Sequence, residues 1–341
     1  MSSSTVQDSI HYFVGIDISK KRLDCWLRPA GEHLRCSNDR QGFQQISQWL
    51  SAFGCTLEDT VLCLEDTGIY GKRLLLAMAQ QGWACAVEKT TVLDKVGPEH
   101  HRKDDCFDAR LLAEYADRFS DQLTITSPAE PALDRIKQLY AERRRLVRQR
   151  RATQTKQTQS GQQPHRPEQL TQMWSQQLAL FDRQIAVLEN HIQQIIETHK
   201  ELAGYYRLLV DIPGVGQVTA WLWLILFYGQ QVLDPKKIAS RFGFAPHCHR
   251  SGSSVRGASR SSGHGHAEMR AIMTLAARSA STHYQRFASY KQRKLEEGKP
   301  WPVVRNNLIN KLITITCAIW NSREPYDPDH TSRFDRQKNA A

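Results

Sequence analysis

Apolar residues in the first third of the chain come in short runs separated by stretches of helical spacing. His11 to Ile18 (HYFVGIDI), Thr60 to Leu64 (TVLCL) and Trp83 to Glu88 (WACAVE) are compact runs of strand length. Between them, Gly42 to Phe53 and Gly71 to Gln81 set apolar residues three and four apart, so each keeps one apolar face as a helix does. Strand and helix in alternation over residues 11–125 predict an α/β sheet, and the carboxyl ends of such a sheet gather a site.

From Leu133 the pattern changes. Leu133, Ile136, Tyr140 and Val147 recur at helical spacing within a run crowded with arginines, which predicts a long basic helix. Thr153 to Pro167 (TQTKQTQSGQQPHRP) is polar and broken by Gly and Pro, so it reads as a hairpin tip or mobile loop. Trp174, Leu178, Phe181, Ile185, Leu188, Ile192 and Ile195 then follow at alternating steps of four and three. That heptad seam needs an antiparallel partner, either the preceding helix or another protomer.

Ile212 to Gly216 (IPGVG) precedes an apolar helix through Leu226, as in a helix-hairpin-helix element, where glycines bare backbone N–H groups to a phosphate. Pro246 to His266 is rich in Ser, Gly, Arg and His and reads as a loop. Ala267 to Tyr290 and Val303 to Trp320 read as helices, and the tail after Ser322 is polar.

Composition narrows the function. The chain has 46 Lys+Arg against 35 Asp+Glu over 341 residues, a net charge of +11, which suits a polyanionic partner whose counterions are released on binding. Ordinary apolar content excludes wholesale disorder. No run reaches the ~20 apolar residues of a membrane helix, and Met1 to His11 lacks the features of a secretory signal, so a cytoplasmic protein without membrane association is expected. Eight scattered cysteines without a C-x-x-C pair suit reduced, buried thiols.

Two constellations carry chemistry. Asp17 and Glu65 close predicted strands, and Asp105 and Asp108 stand three residues apart at a helix start. Singly, each reads as a solvated strand-end or helix-start acid. Together at one sheet end they would repel one another unless hard cations stood between them, and oxygen ligands suit Mg²⁺. The second constellation is Ser251 beside Gly252, among Arg250, Arg256 and Arg260. A serine there has space and cations for a reacting phosphate, although the same composition also describes a polar loop that grips phosphate by charge alone. The nearby His247, Cys248, His249, His264 and His266 fit no standard zinc spacing. Gly68 to Arg73 (GIYGKR) is no phosphate loop, because its glycines are too close and Ser or Thr is missing after Lys72.

At these residues the chain resembles a known family. GIDISK (Gly15 to Lys20), LEDTGIY (Leu64 to Tyr70), RKDDCFDARLLAEY (Arg102 to Tyr115), DIPGVG (Asp211 to Gly216), GFAP (Gly243 to Pro246) and RSGSSVRGASRSSG (Arg250 to Gly263) occur in the order found in the DEDD transposases of bacterial insertion sequences. These are the group one-ten elements, whose enzymes are bridge-RNA-guided serine recombinases. The resemblance implies a RuvC-like (RNase-H-like) domain over 1–125, a coiled coil and linker over 126–204, a mainly helical transposase domain over 205–322 and a polar tail over 323–341. It places the DEDD acids, with Mg²⁺, on Asp17, Glu65, Asp105 and Asp108, and the nucleophile of the family's Ser-Gly pair on Ser251, with several serines nearby. Where the family commonly has Lys-Thr-Asp, this chain has Lys103-Asp104-Asp105, so Asp104 is an added acid without an assigned role. The partners implied are a structured bridge RNA, target and donor double-stranded DNA, and further copies of the chain as a dimer or tetramer. Arg143, Arg144 and Arg145, with Arg250, Arg256 and Arg260, are the expected backbone contacts.

Other readings explain less. A metal-dependent nuclease of the junction-resolving kind accounts for the four acids but leaves residues 205–320 idle. A non-catalytic RNA-binding protein leaves the acids idle, and a sugar-kinase-like ATPase would need glycine-rich phosphate loops that this sequence lacks.

Overall fold

The computed structural model describes residues 10–66, 68–89, 104–128, 130–247, 250–251, 255–256, 260–261 and 265–330, with backbone alone between 246 and 260. The chain divides into two compact units, Met1–Ala129 and Glu130–Ala341.

The first unit is built on a five-stranded sheet of β1 (Tyr12–Ile18), β2 (Arg22–Arg28), β3 (Glu32–Ser37), β4 (Thr60–Glu65) and β5 (Ala84–Glu88), in the order β3-β2-β1-β4-β5. β1 pairs antiparallel with β2 and parallel with β4, β2 pairs antiparallel with β3, and β4 runs parallel to β5. The hairpin β2–β3 is an addition to the strands read from the sequence. Leu23, Cys25 and Leu27 of β2 and Leu34 and Cys36 of β3 alternate into the core under α1 and α2, with Asp24, Trp26 and Arg35 at the positions between them, and Asp24 lies on the opposite face. Helices α1 (Arg40–Ala52) and α2 (Lys72–Gln80) place Phe43, Ile46, Leu50, Leu74 and Met78 against Val14, Ile16, Ile18, Leu62 and Leu64. The other face of the sheet meets α3 (Asp105–Arg118), where Phe13 and Cys63 pack on Leu112, Tyr115 and Ala116.

This period-two division of β1 positions the chemistry. Val14, Ile16 and Ile18 enter one core, while Gly15 and Asp17 face α3. A Cβ on Gly15 would lie 2.3 Å from the Ala113 nitrogen, so the strand and the helix backbone touch at a place where only glycine fits.

The second unit begins with α4 (Pro131–Ser160) and α5 (Glu168–Thr198). Arg143 pairs with Glu189, Arg150 with Asp182 and Gln157 with Ser175. The residue numbers of each pair add to the same value, the mark of an antiparallel hairpin in constant register. All seven seam positions from Trp174 to Ile195 are half-buried or buried, whereas Gln176, Arg183 and Asn190 on the opposite side are exposed. The preceding helix is therefore a partner of the seam. The structure corrects the expected tip over Thr153 to Pro167, because α4 continues through Ser160 and the connection is residues 161–167. The breakers Gly161 and Pro164 lie beyond Ser160, Gln and Lys favour helix, and packing against α5 carries the threonines with them.

The rest of this unit is α6 (Lys200–Val210), α7 (Gln217–Phe227), α8 (Pro235–Arg241), α9 (Ala267–His283), α10 (Gln285–Glu296) and α11 (Trp301–Ser322). α7 carries apolar side chains on every side and is buried accordingly, with Trp221 and Trp223 packed near Phe227, Phe242 and Trp320. The single helix expected from Ala267 to Tyr290 is two, divided at Tyr284, with neither Gly nor Pro to announce the break. The expected loop from Pro246 to His266 contains paired backbone: β6 (Pro246–His247) pairs with β9 (Arg260–Ser261), and β7 (Arg250–Ser251) with β8 (Val255–Arg256). Two-residue ladders are too short to show an alternating pattern in sequence.

Candidate active site

Strand register brings the first two acids side by side. Ile16 pairs with Leu64 across the parallel strands β1 and β4, so Asp17 and Glu65, one residue further on, are neighbours at the carboxyl ends. The row continues to both sides, since Asp17 pairs with Asp24 and Glu65 with Glu88.

Helix α3 supplies the other two. The contact at Gly15 holds Ala109 and Ala113 against β1, and Asp105 and Asp108 lie about one turn earlier on that helix, toward Asp17. Asp104, the added acid, caps the helix, and its carboxylate accepts from the Cys106 N–H at 3.2 Å. Negative charge at a helix N-terminus is favourable, so α3 tolerates three acids in its opening turn.

The carboxylates act on one another electrostatically. Burial, a hydrogen bond with Glu65, and the negative charges of Glu65, Asp105 and Asp108 together raise the Asp17 carboxyl to about 7. Two carboxylates this close cannot both ionise freely without a proton or a cation between them. Among the described residues no group of three or more His, Cys, Asp or Glu side chains is set so as to hold a metal ion as it stands; the donors that the strand ends and α3 offer are all carboxylate oxygens. That donor chemistry fits a hard divalent cation that keeps some of its water.

Three further residues buttress the row. Asp24 is 3% exposed, and its Oδ1 lies 2.9 Å from both Arg35 Nε and His33 Nε2. Arg35 is its cross-strand neighbour, and His33 lies two residues earlier on the same, exposed side of β3. Arg110 of α3 lies over the Trp26 ring at 5.7 Å, and Arg28 pairs with Asp117 at 2.9 Å. The sequence reading passed over Asp24, His33 and Arg35. A charged residue between the alternating apolar positions of β2, opposite an arginine, was the available signal.

Of the other expected site residues, Arg143 binds Glu189 at 2.7 Å, Arg144 binds Glu268 at 3.0 Å, and Arg145 pairs with Glu142 on its own helix. Glu268 also accepts from the Tyr140 hydroxyl at 2.8 Å, which fastens α4 to the first turn of α9. Arg148 and Arg151 are exposed on the same helix. Ser251 and Arg250 lie in β7, with Arg256 in β8 and Arg260 in β9, close together along two short hairpin ladders.

Comparison with known proteins places this arrangement. Residues 14–160 match the DEDD-type family described as "Transposase" of IS110 elements, and residues 206–292 match "Transposase IS116/IS110/IS902 family". The chain carries the two domains of an IS110-family transposase. It is a DNA transposase or recombinase, and its DEDD domain fits an RNase-H-like fold and implies dependence on a divalent metal. Two relatives are 26% identical, covering 92% of this chain and 97% of their own: the pilin gene-inverting proteins of Moraxella lacunata and Moraxella bovis. Among the described residues of the transposase, no helix is long and apolar enough to cross a membrane.

Proposed function

We propose that this transposase moves its insertion sequence by site-specific cutting and rejoining of DNA, with Asp17, Glu65, Asp105 and Asp108 holding Mg²⁺ at the scissile phosphate and Ser251 as nucleophile. The strand register that sets Asp17 beside Glu65 at the sheet end, with Asp105 and Asp108 on the helix packed against β1, supports this reading. Bound there, the cation would offset negative charge on the phosphate and on the leaving oxygen.

The residues of the chain do the rest. Ser251 Oγ loses its proton and bonds to phosphorus, while the bond from phosphorus to the strand's own oxygen breaks and that oxygen leaves as a hydroxyl. The phosphoserine conserves the diester for rejoining, which hydrolysis by water cannot do. Arg250, Arg256 and Arg260 flank Ser251 to steady the phosphate. The Moraxella relatives, named for gene inversion, support rejoining over simple cleavage, because an inversion must reseal every strand it cuts. We further propose that a structured RNA from the element pairs with target and donor DNA, so that base pairing reads sequence while the protein reads backbone. More than one protomer would assemble on the two DNAs, in the cytoplasm.

The test is a denaturation-resistant protein–DNA adduct. Wild-type protein with its element's RNA, both DNAs and Mg²⁺ should form one that maps to Ser251. Ser251→Ala should bind DNA and form none. Absence of any adduct with wild type would transfer the reaction to a water-driven nuclease.

A further inference from the structure

The row of carboxylates poses a problem for a DNA-cutting site. Asp24, Asp17, Glu65 and Glu88 cross four neighbouring strands in register, and such a row repels a polyanion. A divalent cation offsets part of that charge. The sheet places a fixed cation at the end of the row as well, because Arg35 on β3 is the register partner of Asp24. Strands lie about 4.8 Å apart, so the Arg35 backbone is about 10 Å from that of Asp17.

Arg35 is held in an unusual way. Its Nε is bound to a carboxylate that is 3% exposed, yet its own side chain is 49% exposed. Among the described residues the ion pair engages Nε alone, leaving the terminal nitrogens, with four N–H donors, at the surface. Arg35 also feels the charges of Asp105 and Asp104, and the neighbouring strand β2 meets α3 where Arg110 lies over Trp26. Burying Asp24 is expensive, and an apolar pair at these two positions would suit stability at least as well. What the buried carboxylate provides is a fixed orientation for an exposed guanidinium, with His33 bracing the same oxygen. Arg110, exposed over the Trp26 ring, continues the cationic strip along α3.

We infer that Arg35, oriented by Asp24 and His33, binds a backbone phosphate of the DNA strand entering the acid cluster, with Arg110 next along the strand's path. This rests on the acids being the cleavage centre. Asp24 and His33 are then positioning residues, and Arg35 is the group that touches substrate.

The experiment uses the full chain and a duplex carrying its element's ends, measuring binding against salt with metal chelated, strand cleavage with Mg²⁺, and thermal melting. Arg35→Ala should lower the slope of log affinity against log salt by about 1 and slow cleavage about tenfold or more. Arg35→Lys should restore the slope but not the cleavage rate, because an ammonium cannot keep the anchored fork. Since Arg35→Ala strands a buried carboxylate, Asp24→Val with Arg35→Val keeps the test open: it should melt no lower than wild type and still cleave poorly. Normal cleavage by the double variant, or an unchanged salt slope for Arg35→Ala on the duplex, would overturn the inference. If Asp17→Asn cleaves like wild type, the acid cluster itself has been misread; if Asp17→Asn is dead and the Arg35 variants are normal, Arg35 alone has been.

Discussion

A Cβ added to Gly15 would stand 2.0 Å from the carbonyl oxygen of Ala109. Strand β1 and helix α3 therefore approach to a distance that no side chain permits, and this contact holds Asp105 and Asp108 near Asp17. Gly15→Ala must push the helix away. We expect a loss of stability of about 1–3 kcal/mol from overpacking and a much larger loss of cleavage, since displacement of about 1 Å can cost about a hundredfold. Melting and cleavage assays on the same preparation separate the two effects, and equal losses would show that the contact supports the fold alone.

Metal-free stability should depend on pH through Asp17. Its carboxyl rises from 3.8 to about 7 on folding, chiefly through burial and then through Glu65. The folded chain thus keeps a proton that the unfolded chain releases, so this contribution is whole below about pH 4 and is lost as pH climbs to about 7. With chelator present, wild type should melt lower at about pH 8 than at about pH 5. Asp17→Asn should flatten that difference, and adding Mg²⁺ at the higher pH should restore wild type but not the variant.

Asp104 should prove to be a cap and not part of the chemistry. Its carboxylate accepts from the Cys106 N–H, a task that threonine performs nearly as well. Asp104→Thr should keep stability within ~0.5 kcal/mol and leave cleavage intact, whereas Asp104→Ala should cost ~1 kcal/mol. A cleavage defect in the threonine variant would give this acid a chemical role.

The arginines of α4 should separate into two groups. Arg143 is 16% exposed and tied to Glu189, so Arg143→Ala should lower stability by about 1 kcal/mol and leave the salt dependence of nucleic-acid binding unchanged. Arg148 and Arg151 are exposed, and reversing both charges should flatten that dependence with little effect on melting. A double-mutant cycle on Arg143 and Glu189 measures the first effect, and binding against salt measures the second.

How far the sequence speaks follows from these same residues. β1, β4 and β5 were legible because they are apolar on both faces, and the seam from Trp174 to Ile195 because its spacing is strict. Asp17, Glu65, Asp105 and Asp108 could be nominated from their places at strand ends and a helix start, strengthened by a family resemblance. Hairpin β2–β3 was passed over although Leu23, Cys25, Leu27, Leu34 and Cys36 alternate, because the charged Arg22, Asp24, Arg28, Glu32 and Arg35 stand around them, and the buttress that Asp24 and Arg35 form was missed with it. Residues 153–160 misled because they carry no apolar stripe, although their Gln and Lys favour helix and a partner helix supplies the order. The division at Tyr284 leaves no local mark at all.

The constant register of α4 and α5 has a consequence for how this chain can change length. Among the described residues, every side-chain hydrogen bond that α4 makes beyond Leu146 goes to α5 or back to α4 itself. Thirty residues of helix span about 45 Å, so the outer part of the hairpin is a two-helix rod with its own zipper. Such a rod can be shortened or extended by matched heptads, one in each helix, without rotating a single seam residue out of place. Matched changes of three or four residues would turn Arg150 and Asp182 off their shared face. Length in this arm is thus quantised, and homologous chains with longer or shorter arms are expected to differ by sevens.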